Sequence, residues 1–262
     1  ITLDQVLFAM QIEEFLVDHP WTPFPQMQST ERPERVVAAI YEGRVAILMD
    51  NTPFSLIVPC TYDAIMQATD DYEIAPIVAS LIRITRHFSV AVAIFLPAVY
   101  ISIVSFHPGM LPVSLAMSIA ELRVRTPFPS ILEAVFMEGL LEIFQEAIVR
   151  LPDKLSAAAG VVGALVIGTT VVQAGLVNPL LVVVIAATAL ASFGMASYNL
   201  ALALRFLRVP MLILGATLGL YGVMLGWVAL IIHLCSLRSF GESYMGNLLD
   251  LNLIRDWKDQ LI

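Results

Sequence analysis

"FSVAVAIFLPAVYISIVSF", residues 88–106, runs for nineteen positions without a charge. As a helix rising ~1.5 Å per residue it reaches about 28 Å, enough to cross a bilayer's hydrocarbon core. Pro97 in its middle predicts a kink. Three more runs have the length to span: 156–176, "SAAAGVVGALVIGTTVVQAGL"; 179–204, "PLLVVVIAATALASFGMASYNLALAL"; and 209–234, "VPMLILGATLGLYGVMLGWVALIIHL". A fifth, "MLPVSLAMSIAEL" at 110–122, is short for a span. These runs predict a predominantly α-helical polytopic membrane protein with about four to five spans.

Composition agrees. The 262 residues are 58% hydrophobic and 14% charged, with mean hydropathy +0.83. Soluble domains are typically ~45–50% apolar and ~25% charged. The net charge of −8 is uneven, because residues 1–87 hold 12 acidic and 5 basic side chains. An acidic chain without a basic run is unsuited to nucleic acid. Cys60 and Cys235 lie far apart in apolar surroundings and read as buried thiols. His19, His87, His107 and His233 are scattered, without metal-binding spacing, so no metal, cofactor or enzymatic activity is expected. "ITLDQVLFAM" lacks the basic start of a signal peptide and reads as a beginning within a domain.

Three parts follow. Residues 1–87 predict a small α/β membrane-proximal soluble module. In it, "TERPERVVAAIYEGRVAILMDNTPFSLIVP" reads as a helix, with Pro33 in its first turn and Gly43 past its end, then a β-hairpin. Residues 88–237 form the transmembrane domain. Residues 238–262 read as an amphipathic tail. Basic clusters at 83/86, 123/125, Arg150 with Lys154, and 205/208 can all lie inside if 110–122 crosses and the glutamate helix lies near the cytoplasmic surface. That scheme carries Arg238 and the tail outside, and the count of crossings stays open by one.

Between the apolar runs lies "SILEAVFMEGLLEIFQEAIVRLP", residues 130–152. On a helix, Glu138, Glu142 and Glu146 fall within about 80° of one another, with Glu133 off that stripe. Phe136, Leu140, Ile143 and Phe144 take the other side. Two readings fit. The carboxylates of an interfacial amphipathic helix face water or pair with Arg123, Arg125 and Arg150. Alternatively, they line a water-filled cation pathway, since carboxylates at membrane depth mark ion routes or paired charges. Leu181, Val184, Thr188, Ser192 and Asn199 share one face of 179–204 and suit a narrow pore wall, with Leu181 or Val184 as a dry gate. Against this, Ser and Thr also bond their own helix backbone. Gly160, Gly163, Ala164 and Gly168 form a small-residue pattern suited to close helix packing, within a chain or between chains.

"PFPQMQSTERPERVVAAIYEGRVAILMDNTPFSLIVP", "TPFPSILEAVFMEGLLEIFQEAIVRLP", "VVGALVIGTTVVQAGLVNP" and "LCSLRSFG" together resemble the A-subunit family of bacterial spore germinant receptors, the GerA type. The resemblance runs from about 21 to 241. It implies a multi-pass protein of the spore inner membrane, embedded in lipid. Its implied partners are a second integral membrane subunit and a lipoprotein. It also implies a homo-oligomeric ring, a pentamer in the family's pattern, that releases monovalent cations in response to nutrients. The SpoVAF paralogues, germination channels with a different membrane partner, fit the same motifs. "QEAIVRLP", "TTVVQAG" and "ESYMGN" depart from the family's usual stretches at those places. A non-conducting scaffold for receptor clusters is the alternative. A secondary transporter is weaker, because paired broken helices in matching halves are absent.

Overall fold

The computed structural model describes residues 9–50, 52–72, 74–124, 126–152, 155–156, 160, 163 and 166–246. The proposed tail helix, the side chain of Ala164 and most of 156–165 lie outside the described residues. Helices dominate, and the chain forms two compact units. The first takes residues up to Phe88, Gly194–Ala203 and from Val228 on; the second takes Ser89–Phe193 and Leu204–Trp227.

In the first unit, α1 (Ala9–Leu16) precedes β1 (Gln28–Thr30), α2 (Pro33–Tyr41), β2 (Val45–Ile47), β3 (Ser55–Val58) and α3 (Tyr62–Met66). α2 begins with Pro33 at its first position and Glu34 in its first turn. It ends at Gly43, whose φ of +83° closes the helix at no Cβ cost. β2 and β3 form the expected antiparallel hairpin, pairing Val45 with Val58 and Ile47 with Leu56. A third strand was not expected: β1 pairs with the other edge of β3, giving the order β1-β3-β2. Three residues are too short for alternation to show in sequence, and a run of prolines hides them. Met27, Leu56 and Val58 form the core beneath Ile12, Leu16, Ile47 and Met49. Cys60 is buried and free, and burial pushes its thiol up to about 12.

Residues after the last helix return to this module. β4 (Arg238–Ser239) and β5 (Glu242–Ser243) form a hairpin. Its turn residues Phe240 and Gly241 both have positive φ, as a two-residue hairpin loop demands. Ser239 Oγ accepts from Cys60 N at 2.9 Å and donates to Gln26 O at 2.7 Å. Tyr62 N donates to Tyr244 O at 2.9 Å. Residues 238–246 are therefore packed structure and not part of a free amphipathic tail.

α3 is held at both ends. Thr61 caps its N-terminus. Its last carbonyls are claimed by two arginines from other helices. Arg35 donates to Ala64 O at 2.9 Å and to Gln67 O at 2.8 Å, and Arg86 donates to Met66 O. Arg86 also makes a two-pronged pair with Asp71, at 2.9 and 3.0 Å. Arg83 stands 3.7 Å from the same carboxylate and over the ring of Tyr72.

Arg83 and Arg86 belong to α4 (Pro76–Phe106), which starts twelve residues before the predicted span. Its 31 residues give a length of roughly 46 Å. A 3-10 turn (Pro108–Met110) leads to α5 (Val113–Val124) and α6 (Ser130–Arg150). After a π-turn at Val166–Thr170 come α7 (Pro179–Phe193), α8 (Tyr198–Leu218) and α9 (Leu220–Ser236). The predicted span 179–204 is thus two helices, broken at Gly194–Ser197, where glycine is a poor helix former and serine competes for backbone hydrogen bonds. The predicted span 209–234 also breaks, at Gly219, whose φ is +65°. α4 and α8 are long and apolar enough to cross a membrane, with mean hydropathies of 2.2 and 1.7. Only 39% and 44% of their most apolar stretches is buried, which leaves the rest for lipid or another chain. α7 and α9 are apolar but shorter.

The core of the second unit gathers Ile101, Ala134, Met137, Val177, Leu181, Ile185 and Leu212. α8 meets α4 backbone to backbone at Gly215, where a Cβ would stand 2.7 Å from Ala98 O. A carbonyl on a helix cannot step aside. Gly215→Ala is expected to lower stability by ~1–3 kcal/mol. Gly139→Ala on α6, where a Cβ meets nothing within 4 Å, is expected to raise it by up to ~1 kcal/mol. Thermal unfolding of the two variants in detergent tests the contrast.

Candidate functional site

α6 starts directly after "PFP", with Pro129 in extended conformation at the N-cap, and stops before Pro152. Its buried face carries Ser130, Glu133, Ala134, Met137, Glu138 and Gln145. Glu133 is only 3% exposed. It accepts from Asn178 N at 3.1 Å, while Asn178 Oδ1 accepts from Leu180 N at 2.9 Å. The carboxylate thus sits at the N-terminus of α7, where the helix dipole favours negative charge. The sequence reading set Glu133 aside as off the stripe. Asn-Pro opening an apolar run was the signal for the helix start, but nothing local named its partner.

The stripe Glu138, Glu142, Glu146 is paired along its length. Glu138, nearly buried, receives Arg208 Nη1 at 3.0 Å. Glu142 receives Arg205 at 3.2 Å, and Glu146 receives Arg150 at 2.6 Å one turn along the same helix. Half of each of the latter two glutamate side chains stays open, at 52% and 50%. Of the expected partners, Arg150 takes part and Arg123 does not among the described contacts; Arg125 lies outside the described residues. Arg205 and Arg208 lie within α8. The order of pairing, 138 with 208 and 142 with 205, means that α6 and α8 run antiparallel here. On its apolar side, Phe136 and Ile143 are 48% and 70% exposed, while Leu140 packs on the core.

Arg208 has a second role. Pro97 has no N–H, so the carbonyl four residues earlier in α4, Ala93 O, loses its helical donor. Arg208 Nε donates to that oxygen at 2.9 Å. One buried guanidinium, 2% exposed, therefore bonds the carbonyl that Pro97 leaves without a helical donor and pairs with Glu138.

The residues expected to share a pore wall divide between two helices. Leu181, Thr188 and Ser192 are buried inside the unit, Leu181 in its apolar core. Thr188 donates to Val184 O at 2.7 Å and Ser192 to Ala189 O at 2.6 Å, so both hydroxyls serve their own helix. Val184 is half-buried, and Asn199 belongs to α8, not to α7. The cause is the break at Gly194, which ends the shared helical face. Of the small-residue pattern, Gly163 lies under the Phe144 ring, where no Cβ fits, while Gly160 and Gly168 face open space within the chain. Among the described residues no three His, Cys, Asp or Glu side chains converge as a metal site.

The model of the Bacillus/Clostridium GerA spore germination protein family matches residues 1–262. Spore germination protein A1 of Bacillus subtilis (strain 168) is 44% identical over 244 residues, which cover 93% of this chain and 51% of that protein. The membrane protein YfkQ of the same organism is 43% identical over 248 residues, covering 95% and 48%. Spore germination protein GerLA of Bacillus cereus is 38% identical over 262 residues, covering 100% and 53%. The chain spans about half the length of these relatives. No solved structure matches it. A family match over its whole length makes the chain a member of the GerA spore germination protein family.

Proposed function

We propose that this chain is the membrane part of an A-type germinant receptor subunit, or of a SpoVAF-type paralogue. Copies of it would assemble in the spore inner membrane into a ring that passes monovalent cations and carries out no enzymatic step. The observation that carries the reading is the half-open pair Glu142 and Glu146 on α6, beside spanning helices whose apolar surface the chain leaves mostly uncovered. Carboxylates facing a shared mouth would raise the local cation concentration. A shift between closed and open assemblies, biased by an upstream sensor, would gate it. The bonds of Ser239 and Tyr244 to Gln26, Cys60 and Tyr62 support an even number of crossings between the module and Leu237. This keeps Arg238 on the module's side.

Glu142→Gln combined with Glu146→Gln is expected to reduce potassium flux several-fold in proteoliposomes holding the assembled protein. Undiminished flux with an intact oligomer would reject the acidic mouth. A second reading, a non-conducting scaffold that organises receptor clusters, is favoured by a separate observation. Each stripe carboxylate already has an arginine of its own chain, and the α7 hydroxyls face inward. Absence of any cation flux from the wild-type assembly would select it.

A further inference from the structure

The buried face of α6 carries more polar atoms than the chain satisfies. Among the described residues, Ser130 Oγ, Glu133 Oε1, Glu138 Oε1, Arg208 Nη2 and both amide atoms of Gln145 are buried without a hydrogen-bond partner. Their residues are between 2% and 9% exposed. Such atoms are few in native proteins, and each is costly if left dry. Here they gather along one helix face. From Ser130 to Gln145 the helix rises about 22 Å, most of a hydrocarbon core's thickness.

The atoms are also complementary. Glu138 Oε2 and Arg208 Nη1 meet at 3.0 Å, while the other oxygen of that carboxylate and the other terminal nitrogen of that guanidinium have no partner. A molecule that both donates and accepts, placed beside this pair, satisfies both. Gln145 asks the same of its neighbour, since its oxygen needs a donor and its nitrogen an acceptor. Glu133 Oε1 and Ser130 Oγ, one turn apart, ask for a donor. No described side chain supplies these bonds. The ligand that fits every station is water, which typically makes about three hydrogen bonds when buried.

We propose that the second unit binds a row of ordered water molecules along the inner face of α6, from Ser130 to Gln145. This hydrated seam lies within one chain. It does not depend on a ring, a shared axis or cation flux.

The test is hydroxyl-radical labelling by X-ray radiolysis of the chain in detergent, read by mass spectrometry. Buried side chains are oxidised this way when a bound water lies beside them. Met137 is 3% exposed and lies on the seam between Glu133 and Glu138. Met27, packed on Leu56 and Val58, and Met211 are equally buried controls, at 1% and 4%. The expected result is oxidation of Met137 at doses that leave both controls unmodified. Labelling of Met137 at the controls' rate overturns the proposal. In the double variant Glu138→Leu, Arg208→Leu the central station is gone, and Met137 labelling should fall towards control level. Labelling that stays at the wild-type rate in a folded double variant overturns the assignment of water to that pair. The wild-type measurement decides the proposal even if the variant folds poorly.

Discussion

Arg208→Met is expected to destabilise the chain by ~3–5 kcal/mol, the usual consequence of removing one member of a buried ion pair. The loss has two parts. Glu138 is left buried beside an apolar thioether. Ala93 O, already without a helical donor because of Pro97, loses its remaining bond. Adding Glu138→Leu should recover the first part, because apolar replacement of a whole buried pair is often neutral. It should not recover the second, a buried carbonyl costing about 1–3 kcal/mol. Thermal unfolding in detergent of the wild type, both single variants and the double completes a cycle. Additive single effects would show that 138 and 208 do not act as a pair. Full recovery in the double would show that the carbonyl contact is dispensable.

Asp71→Asn is expected to be comparably damaging, again ~3–5 kcal/mol. Asp71 is 4% exposed and faces Arg86 at two points, Arg83 at 3.7 Å and Ala68 N at 3.0 Å. Burial alone would push its carboxyl up. The hydrogen bonds from Arg86 and Ala68 and the charges of Arg86 and Arg83 outweigh burial and hold it below the ordinary aspartate value. A carboxyl lowered in the folded state contributes stability that is complete above its unfolded value, near ~3.9. That contribution is lost as pH falls through the lower folded value. The wild type should therefore lose stability below about pH 4, and this part of the slope should be missing in Asp71→Asn. Melting midpoints measured across that range, with limited proteolysis between α3 and α4, check both claims. Identical acid profiles for the two proteins would remove Asp71 from the account.

Much of the fold was legible in the chain. Pro33, Glu34 and Gly43 mark α2 because their effects are local: a preset φ, a favourable dipole and a left-handed residue at the helix end. The hairpin of β2 and β3 was legible for the same reason. β1 was not, because three residues carry no period and their pairing depends on a strand about 27 residues away. The breaks at Gly194 and Gly219 were underread, since apolar runs on either side look continuous when only hydropathy is counted.

The α6 site divides along the same line. Spacing alone determined that Glu138, Glu142 and Glu146 share a helical stripe, and composition that 88–106 is apolar, with Pro97 leaving one carbonyl without a helical donor. The antiparallel approach of α8 decided which arginine each of Glu138 and Glu142 meets, that Glu138 is buried while Glu142 stays half open, and that Arg208 reaches the carbonyl Pro97 had orphaned. Helical period is a property of consecutive residues and is written in the chain. The partner of a buried charge is chosen by which helices pack together, across 115 residues in the case of Ala93 and Arg208, and no local pattern encodes that choice.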